Sequence, residues 1–420
     1  MQSKSYRRSQ RKLWLISGLV VYLWAALISL VLRVSSVDGE GYHGQIGPDV
    51  EAQLIHVSRR VHTRDVTGWK VMMSHTFYGF SLVNTVLLEP DNQERRAEAI
   101  GELEWVLRRL ESPEIAGKYK DTQVPHGVYY LGERNLTLAG LMLIDPNPKA
   151  KYKAEFHQTS QALFEAFMES PAANLDTYPG HAWPTDNVPA LYSLALHDRL
   201  YGSHYQTAID RWVAFMAANL DETTGLMPAK IDYRSGDILN VPRGVALSFT
   251  FIFLKDLAPE FAAEQYALYQ QQFFKSTLGF AGIREYPPGI SRPADVDSGP
   301  IIREVGAGAT GLGIVAAKAM GDAESFESIL QLSEIIGFPM QVSEDKYYLF
   351  GRLLIGDEII LWGKTYTSWL TYLDGRHPDR LLQQPKEPIF TLAYFYWIAG
   401  TVGIVLIWKT LWLVRKLQNS

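Results

Sequence analysis

Apolar positions in the middle of the chain recur at helical spacing, with little of the two-residue alternation that marks strands. Ile100, Leu103, Leu107 and Leu110 form one stripe, and Tyr152, Phe156, Leu163 and Phe167 a second. Tyr205, Ala208, Trp212 and Phe215 form a third, Phe261, Leu268 and Phe273 a fourth, and Phe326, Ile329, Leu330 and Ile335 a fifth. The opposite faces are charged, as expected of helices whose outer side meets water. Between them lie segments that are apolar or small nearly all round: Val71–Leu88, Glu133–Leu143, Asn187–Leu200, Gly244–Leu257, Ile301–Met320 and Glu358–Leu373. A helix without a polar face is buried on all sides. A step of about 57 residues from near residue 72 reaches the start of each buried segment in turn. Six repeats of one buried and one amphipathic helix predict an all-α fold, an (α/α)6 toroid with an inner ring inside an outer ring. A helix over Ala52–His62 supplies the sixth outer partner. An open solenoid is the alternative, but it needs polar caps at its ends.

Two further apolar runs, Leu13–Leu32 and Ile389–Trp408, contain no charged residue and are each 20 residues long. That length matches a hydrocarbon core of about 30 Å. A cleaved leader is the competing reading for the first run, but its apolar stretch is long and no Ala-x-Ala site follows Arg33. Charge then orients the chain. Residues 1–12 carry Lys4, Arg7, Arg8, Arg11 and Lys12, and residues 409–420 carry Lys409, Arg415 and Lys416, neither with an acid. The net charge of -5 is therefore +5 and +3 at the ends and -5 - 5 - 3 = -13 elsewhere. Basic flanks stay in the cytoplasm. The expected organisation is a cytoplasmic tail (1–12), a membrane helix (13–33), an extracytoplasmic, periplasmic toroid (34–388), a second membrane helix (389–408) and a second cytoplasmic tail (409–420). The expected location is the inner (plasma) membrane, crossed twice.

Composition removes several chemistries. With no cysteine among 420 residues there is no disulfide framework, thiol nucleophile or thiolate metal site. The acidic middle argues against nucleic acid as a partner. Gly306-Ala307-Gly308-Ala309-Thr310-Gly311 fits G-x-G-x-x-G, but it falls within a predicted apolar helix starting near Pro300, without the βαβ context a dinucleotide site needs. Asp295-Val296-Asp297-Ser298-Gly299 begins like a calcium loop and lacks the later ligands. No cofactor or metal is expected.

Candidate chemistry lies in the segments that lead into the buried helices. In a ring these helices run parallel, so their N-termini gather at one mouth, where unpaired amides favour oxyanions. The segments are His126–Asn135, Tyr178–Asn187, Val241–Gly244, Arg284–Gly289 and Asp295–Pro300, rich in aromatic rings, carboxylates and single Arg or His residues. Rings stack on sugar faces and carboxylates bind hydroxyls and move protons. Glycosidic cleavage needs one protonated and one ionised carboxyl. Asp186 and Asp297 are the expected catalytic pair, with Glu133 in reserve and Asp295 and Glu304 as alternates. Helix capping is the competing role for Asp186 and Asp297, since each precedes a proline by three residues. His126, Tyr130, Arg134, Tyr178, His181, Trp183, Asn187, Arg243, Tyr286 and Asp295 are the expected substrate-binding residues. Packing competes for the aromatic residues and His126 and His181; a salt bridge to one of the carboxylates competes for Arg243.

The repeat resembles the six-hairpin toroid superfamily of glycoside hydrolases and polysaccharide lyases. More narrowly, Tyr178–Asn187, Pro242–Gly244 and Asp295–Pro300 resemble membrane-anchored relatives of linalool dehydratase/isomerase. That resemblance implies the fold and the place of the pocket. The terpene chemistry of that family relies on cysteines, so it is not implied here. The expected function is acid–base hydrolysis of an envelope or exopolysaccharide glycan, with Arg243 pointing to an acidic one. A uronate lyase or epimerase, a terpenoid or lipid isomerase/dehydratase, and a non-catalytic glycan-binding scaffold remain open. Ala399-x-x-x-Gly403 is compatible with a membrane-protein partner.

Overall fold

The computed structural model describes residues 46–63, 70–116, 121–277 and 280–376, with short stretches of both terminal runs (18–19, 22–23, 402–403, 405–410 and 412). Twelve helices of three turns or more alternate along it: α1 (Pro48–Val61), α2 (Lys70–Leu88), α3 (Gln93–Leu110), α4 (Gly127–Ile144), α5 (Ala150–Glu169), α6 (Pro184–Tyr201), α7 (Gln206–Ala218), α8 (Gly244–Leu257), α9 (Pro259–Phe273), α10 (Ala307–Met320), α11 (Ala323–Ile336) and α12 (Leu354–Thr365). The even-numbered helices pack side by side as α2–α4–α6–α8–α10–α12 and then back to α2, closing a ring. The odd-numbered helices lie outside, each against an inner neighbour. The sequence sets the layers: α10 is buried along nearly its whole length, whereas α5 buries only Tyr152, Phe156, Ser160, Leu163 and Phe167. Val71–Leu88 is the one described helix long and apolar enough to cross a membrane, and it is an inner helix, 89% buried.

Local signals place the helix starts. Asn92 and Asp322 cap α3 and α11 by accepting the amides of Arg95 and Ser325. Prolines open α1, α6 and α9. The fifth inner helix departs from the expected span. Ile301–Ile302 (β1) and Val305–Gly306 (β2) form a tight antiparallel hairpin, so α10 starts only at Ala307. The sixth also departs, ending at Thr365 before a separate short helix, Trp369–Leu373.

The axis of the ring is plugged. Phe77 on α2 and Phe249 on the opposite helix α8 approach to 6.1 Å, and Trp362 on α12 packs on Phe77 at 4.9 Å and on Phe249 at 6.3 Å. Inner helices run parallel because each is followed by an outer helix that carries the chain back. Their C-terminal ends form the closed face, where Trp369 donates to Asn84 at 2.7 Å and Arg199 pairs with Asp374 at 3.1 Å.

Both ends of the ring lie at that face. At the start, Asp49 on α1 binds Lys364 at the end of α12 at 2.7 Å and also pairs with Lys346. Burial opposes ionisation of Asp49, but the two lysines outweigh it and lower its pKa. Its folded value lies below the unfolded one, so its stabilisation is present above about pH 4 and is lost as pH falls further. Asp49→Asn is expected to cost about 1–2 kcal/mol at neutral pH and progressively less as pH falls below about 4, read from urea midpoints.

Candidate functional site

The mouth opposite the plug gathers carboxyl groups around a single arginine. Arg243, the residue before α8, is 3% exposed. Its guanidinium donates to Glu285 at 2.8 Å, to Asp295 at 3.2 Å and to Asp297 at 2.5 Å. Burial opposes its charge, yet Asp297 and Glu285 raise its pKa. Two glycines permit this crowding. A side chain at Gly244 would strike the Arg284 carbonyl, 1.9 Å away, and one at Gly308 would strike the Asp297 carbonyl at 2.5 Å.

Asp186 faces this cluster from the first turn of α6. Neither it nor Asp297 caps a helix: Trp183 and Gly306 hold the N-cap positions of α6 and α10. The Asp186 carboxyl accepts the Thr177 hydroxyl at 2.8 Å. Burial raises its pKa to about 7; the Thr177 bond and Arg243 pull it down and the Asp297 charge pushes it up. Asp186 thus holds a proton close to neutral pH, next to an Asp297 carboxylate bound to Arg243. One protonated and one ion-paired carboxyl are the parts of an acid–base pair.

Glu133 lies deeper. It is completely buried, with the Thr76 hydroxyl beside its carboxyl group. Burial raises its pKa to about 8, with Thr76 lowering and Asp186 raising it. On the other side of α2, Glu358 is also fully buried; it accepts the Ser74 hydroxyl with one oxygen and leaves the other unpartnered.

The rim is aromatic. Tyr178 and Trp183 meet edge to face at 5.3 Å, His181 lies 6.2 Å from Trp183, and Lys230 sits 4.8 Å over the Trp183 ring. His126 precedes α4 in a left-handed conformation with a buried, unpartnered Nδ1. Tyr286 is nearly buried and donates to the Pro293 carbonyl at 3.1 Å.

Several expectations change. Tyr130 donates to the Leu110 carbonyl at 3.0 Å, Arg134 pairs with Glu111 and Glu155 on the outer side, and the Asn187 amide bonds the backbone of Leu175 and Trp183. Tyr130 and Arg134 tie α4 to its outer neighbours, and Asn187 ties the preceding loop to the start of α6. Arg243 has carboxylates on all sides, so it is not open to an acidic substituent. Glu304 turns into the β1–β2 hairpin and pairs with Lys275 and Arg284. The amides that start the inner helices are not free for oxyanions: Val128, Gly244 and Gly308 donate to the carbonyls of Asp176, Glu285 and Ser298. The G-x-G-x-x-G run opens α10 after a two-residue strand, and its first glycine abuts the Glu285 carboxylate. A phosphate has no place there. Among the described residues no group of three or more His, Asp or Glu side chains could hold a metal ion.

Sequence reasoning missed Glu285 and Glu358. The available signal was a carboxylate set in apolar sequence: Ala281-Gly282-Ile283-Arg284-Glu285-Tyr286 and Glu358-Ile359-Ile360-Leu361-Trp362. An acid there loses its route to water once the helix of Glu358 is internal and the loop of Glu285 folds against the start of α8.

The family model for linalool dehydratase/isomerase matches residues 130–339. That span contains Glu133, Asp186, Arg243, Glu285 and Asp297. A GH76 α-mannanase from Bacteroides thetaiotaomicron is a structural neighbour at 10% identity and a TM-score of 0.48, covering 80% of this chain and 98% of the mannanase.

Proposed function

Because the chain belongs to the linalool dehydratase/isomerase family, we propose that it is an acid–base enzyme that breaks a carbon–oxygen bond, and that its substrate is a glycan. The observation that carries this is the Asp186 carboxyl, protonated near neutral pH and facing the Asp297–Arg243 ion pair. Asp186 gives its proton to the leaving glycosidic oxygen as that bond breaks. Asp297 takes a proton from the water whose oxygen bonds to the anomeric carbon. Tyr178, His181 and Trp183 supply a stacking rim, and the acid-rich mouth suits a neutral, hydroxyl-bearing sugar better than a uronate. Asp186 and Asp297 bind no helix amide, which speaks against a purely structural scaffold.

The family match favours a second reading, dehydration or isomerisation of a terpenoid alcohol. Protonation of a hydroxyl by Asp186 and removal of a carbon-bound proton by a carboxylate would use the same groups. The absence of cysteine and the charged, aromatic rim weigh toward the glycan. Incubation with glycans and with allylic alcohols in heavy-oxygen water separates the two. A hydrolase places the heavy oxygen on the new sugar hydroxyl; an alkene product with no label overturns hydrolysis.

The terminal runs fit membrane anchoring, with the ring outside the cytoplasm. Their described residues are helical, and Leu19, Tyr22, Leu23, Val405, Trp408 and Trp412 are exposed. Exposed apolar side chains on a helix flanked by basic residues suit lipid. Protease protection of the ring in sealed inside-out vesicles is the expected result; digestion from the cytoplasmic side would reverse the topology.

A further inference from the structure

We propose that Thr177 is a positioning residue: it fixes which oxygen of Asp186 carries the transferable proton and keeps that oxygen toward the mouth. This builds on the acid role given to Asp186 above and adds how the acid is aimed. Three observations carry it. First, the Thr177 hydroxyl donates to Oδ2 of Asp186 at 2.8 Å, and Thr177 is 1% exposed. Among the described residues this hydroxyl has no other acceptor. Were it to accept a proton from Oδ2, its own hydrogen would be buried without a partner, which is costly. Oδ2 is therefore held as an acceptor, and the proton of the neutral acid belongs on Oδ1. Secondly, Oδ1 is the open oxygen. Asp186 is partly exposed, and Oδ1, with no hydrogen-bond partner among the described residues, is not a buried atom. The Asp297–Arg243 pair acts on Asp186 from the mouth.

Thirdly, Thr177 is gripped from two sides. Its amide donates to the His181 carbonyl at 2.9 Å, and its own carbonyl lies so close to Gly127 that a side chain there would meet it at 2.3 Å. Asp176, the residue before it, accepts the amides of Val128 and Gln123. A β-branched side chain adds stiffness at χ1. The bond from Thr177 and the transferable proton thus sit on different oxygens. As the O–H bond at Oδ1 breaks, the proton goes to the leaving oxygen, which keeps the electron pair of its own broken bond, and Asp186 is left as the carboxylate. The Thr177 hydroxyl is already on that carboxylate and binds it more strongly than the neutral acid.

The test uses the full-length protein in detergent, with linear neutral oligosaccharides as the probe. Thr177→Val keeps the branched shape and removes the hydroxyl; Thr177→Ser keeps the hydroxyl. Thr177→Val is expected to lower kcat roughly tenfold with KM near the wild-type value, since the acid is no longer aimed. The alkaline limb of the rate, near pH 7 in the wild type, should move up by about one unit, because the carboxylate loses a hydrogen bond. Thr177→Ser should restore the limb and most of the rate. A rate loss with an unmoved limb would make Thr177 a packing residue and overturn the inference. A second readout needs no substrate. The fall of Tm with rising pH should extend to higher pH in Thr177→Val, and the pH dependence of that effect should vanish in the Asp186→Asn background. An effect of Thr177→Val on Tm that is the same at every pH would also overturn the inference. If no oligosaccharide is cleaved the glycan reading fails, while the melting curves still decide whether Thr177 governs Asp186.

Discussion

Asp186→Asn is expected to lower turnover by roughly 10²–10⁴-fold, the usual contribution of a positioned general acid, while leaving the ring folded. Asparagine keeps the shape and the Thr177 contact but has no proton to give. The wild-type rate should fall as pH rises through about 7, where Asp186 loses its proton, and the residual rate of the variant should lack that limb. Stability carries the same signature. The folded pKa of Asp186 lies above its unfolded value near 3.8, so the folded state binds a proton that the unfolded chain has released between about pH 4 and 7. Unfolding free energy therefore falls with rising pH across that window. Burial raises Glu285 to about 7, Asp357 to about 7 and Glu133 to about 8, and each adds to the trend. The ring is expected to melt highest in mildly acidic buffer, and Asp186→Asn should flatten the curve. A Tm that climbs steadily from pH 5 to 8 would contradict the buried, protonated acids.

Arg243→Met is expected to cost about 3–5 kcal/mol at neutral pH, measured by urea unfolding. The loss is not the strength of one ion pair. Glu285, Asp295 and Asp297 all face the guanidinium, and removing it leaves a fully buried Glu285 beside two other acids. The cost should shrink as pH drops and the carboxyl groups take up protons. It should also shrink in the Arg243→Met/Glu285→Leu double variant, where the buried member of the cluster goes with its partner. A double variant as unstable as the single one would place the role of Arg243 elsewhere.

Much of the ring was legible in the sequence because burial leaves a mark on composition. An inner helix such as α8 has no polar face to spare, and Gly244–Leu257 coincides with the expected segment. Inner helices α2, α4 and α6 start at Lys70, Gly127 and Pro184, each within about two residues of the repeat. The repeat fails at α10 because a short hairpin leaves no periodic signal: Ile301 and Ile302 look as apolar as a helix start. The acids divide the same way. Asp186, Asp297 and Glu133 stood out in unusual segments, but a sequence does not say which way Arg134 or Tyr130 faces on a buried helix. Nor did it reveal that three carboxylates surround Arg243, since Glu285, Asp295 and Asp297 meet only when two loops fold over the start of α8. Exposure of Arg134 to the outer layer is a matter of rotation about a helix with almost no amphipathic bias, where periodicity has nothing to measure.

Both ends of the described ring lie at its closed face: Glu51 near the start pairs with Arg95 beneath α2, and Asp374 near the end pairs with Arg199. The acid-lined mouth opens on the opposite side. A long polymer can therefore approach the rim without crossing the face at which the described ring begins and ends.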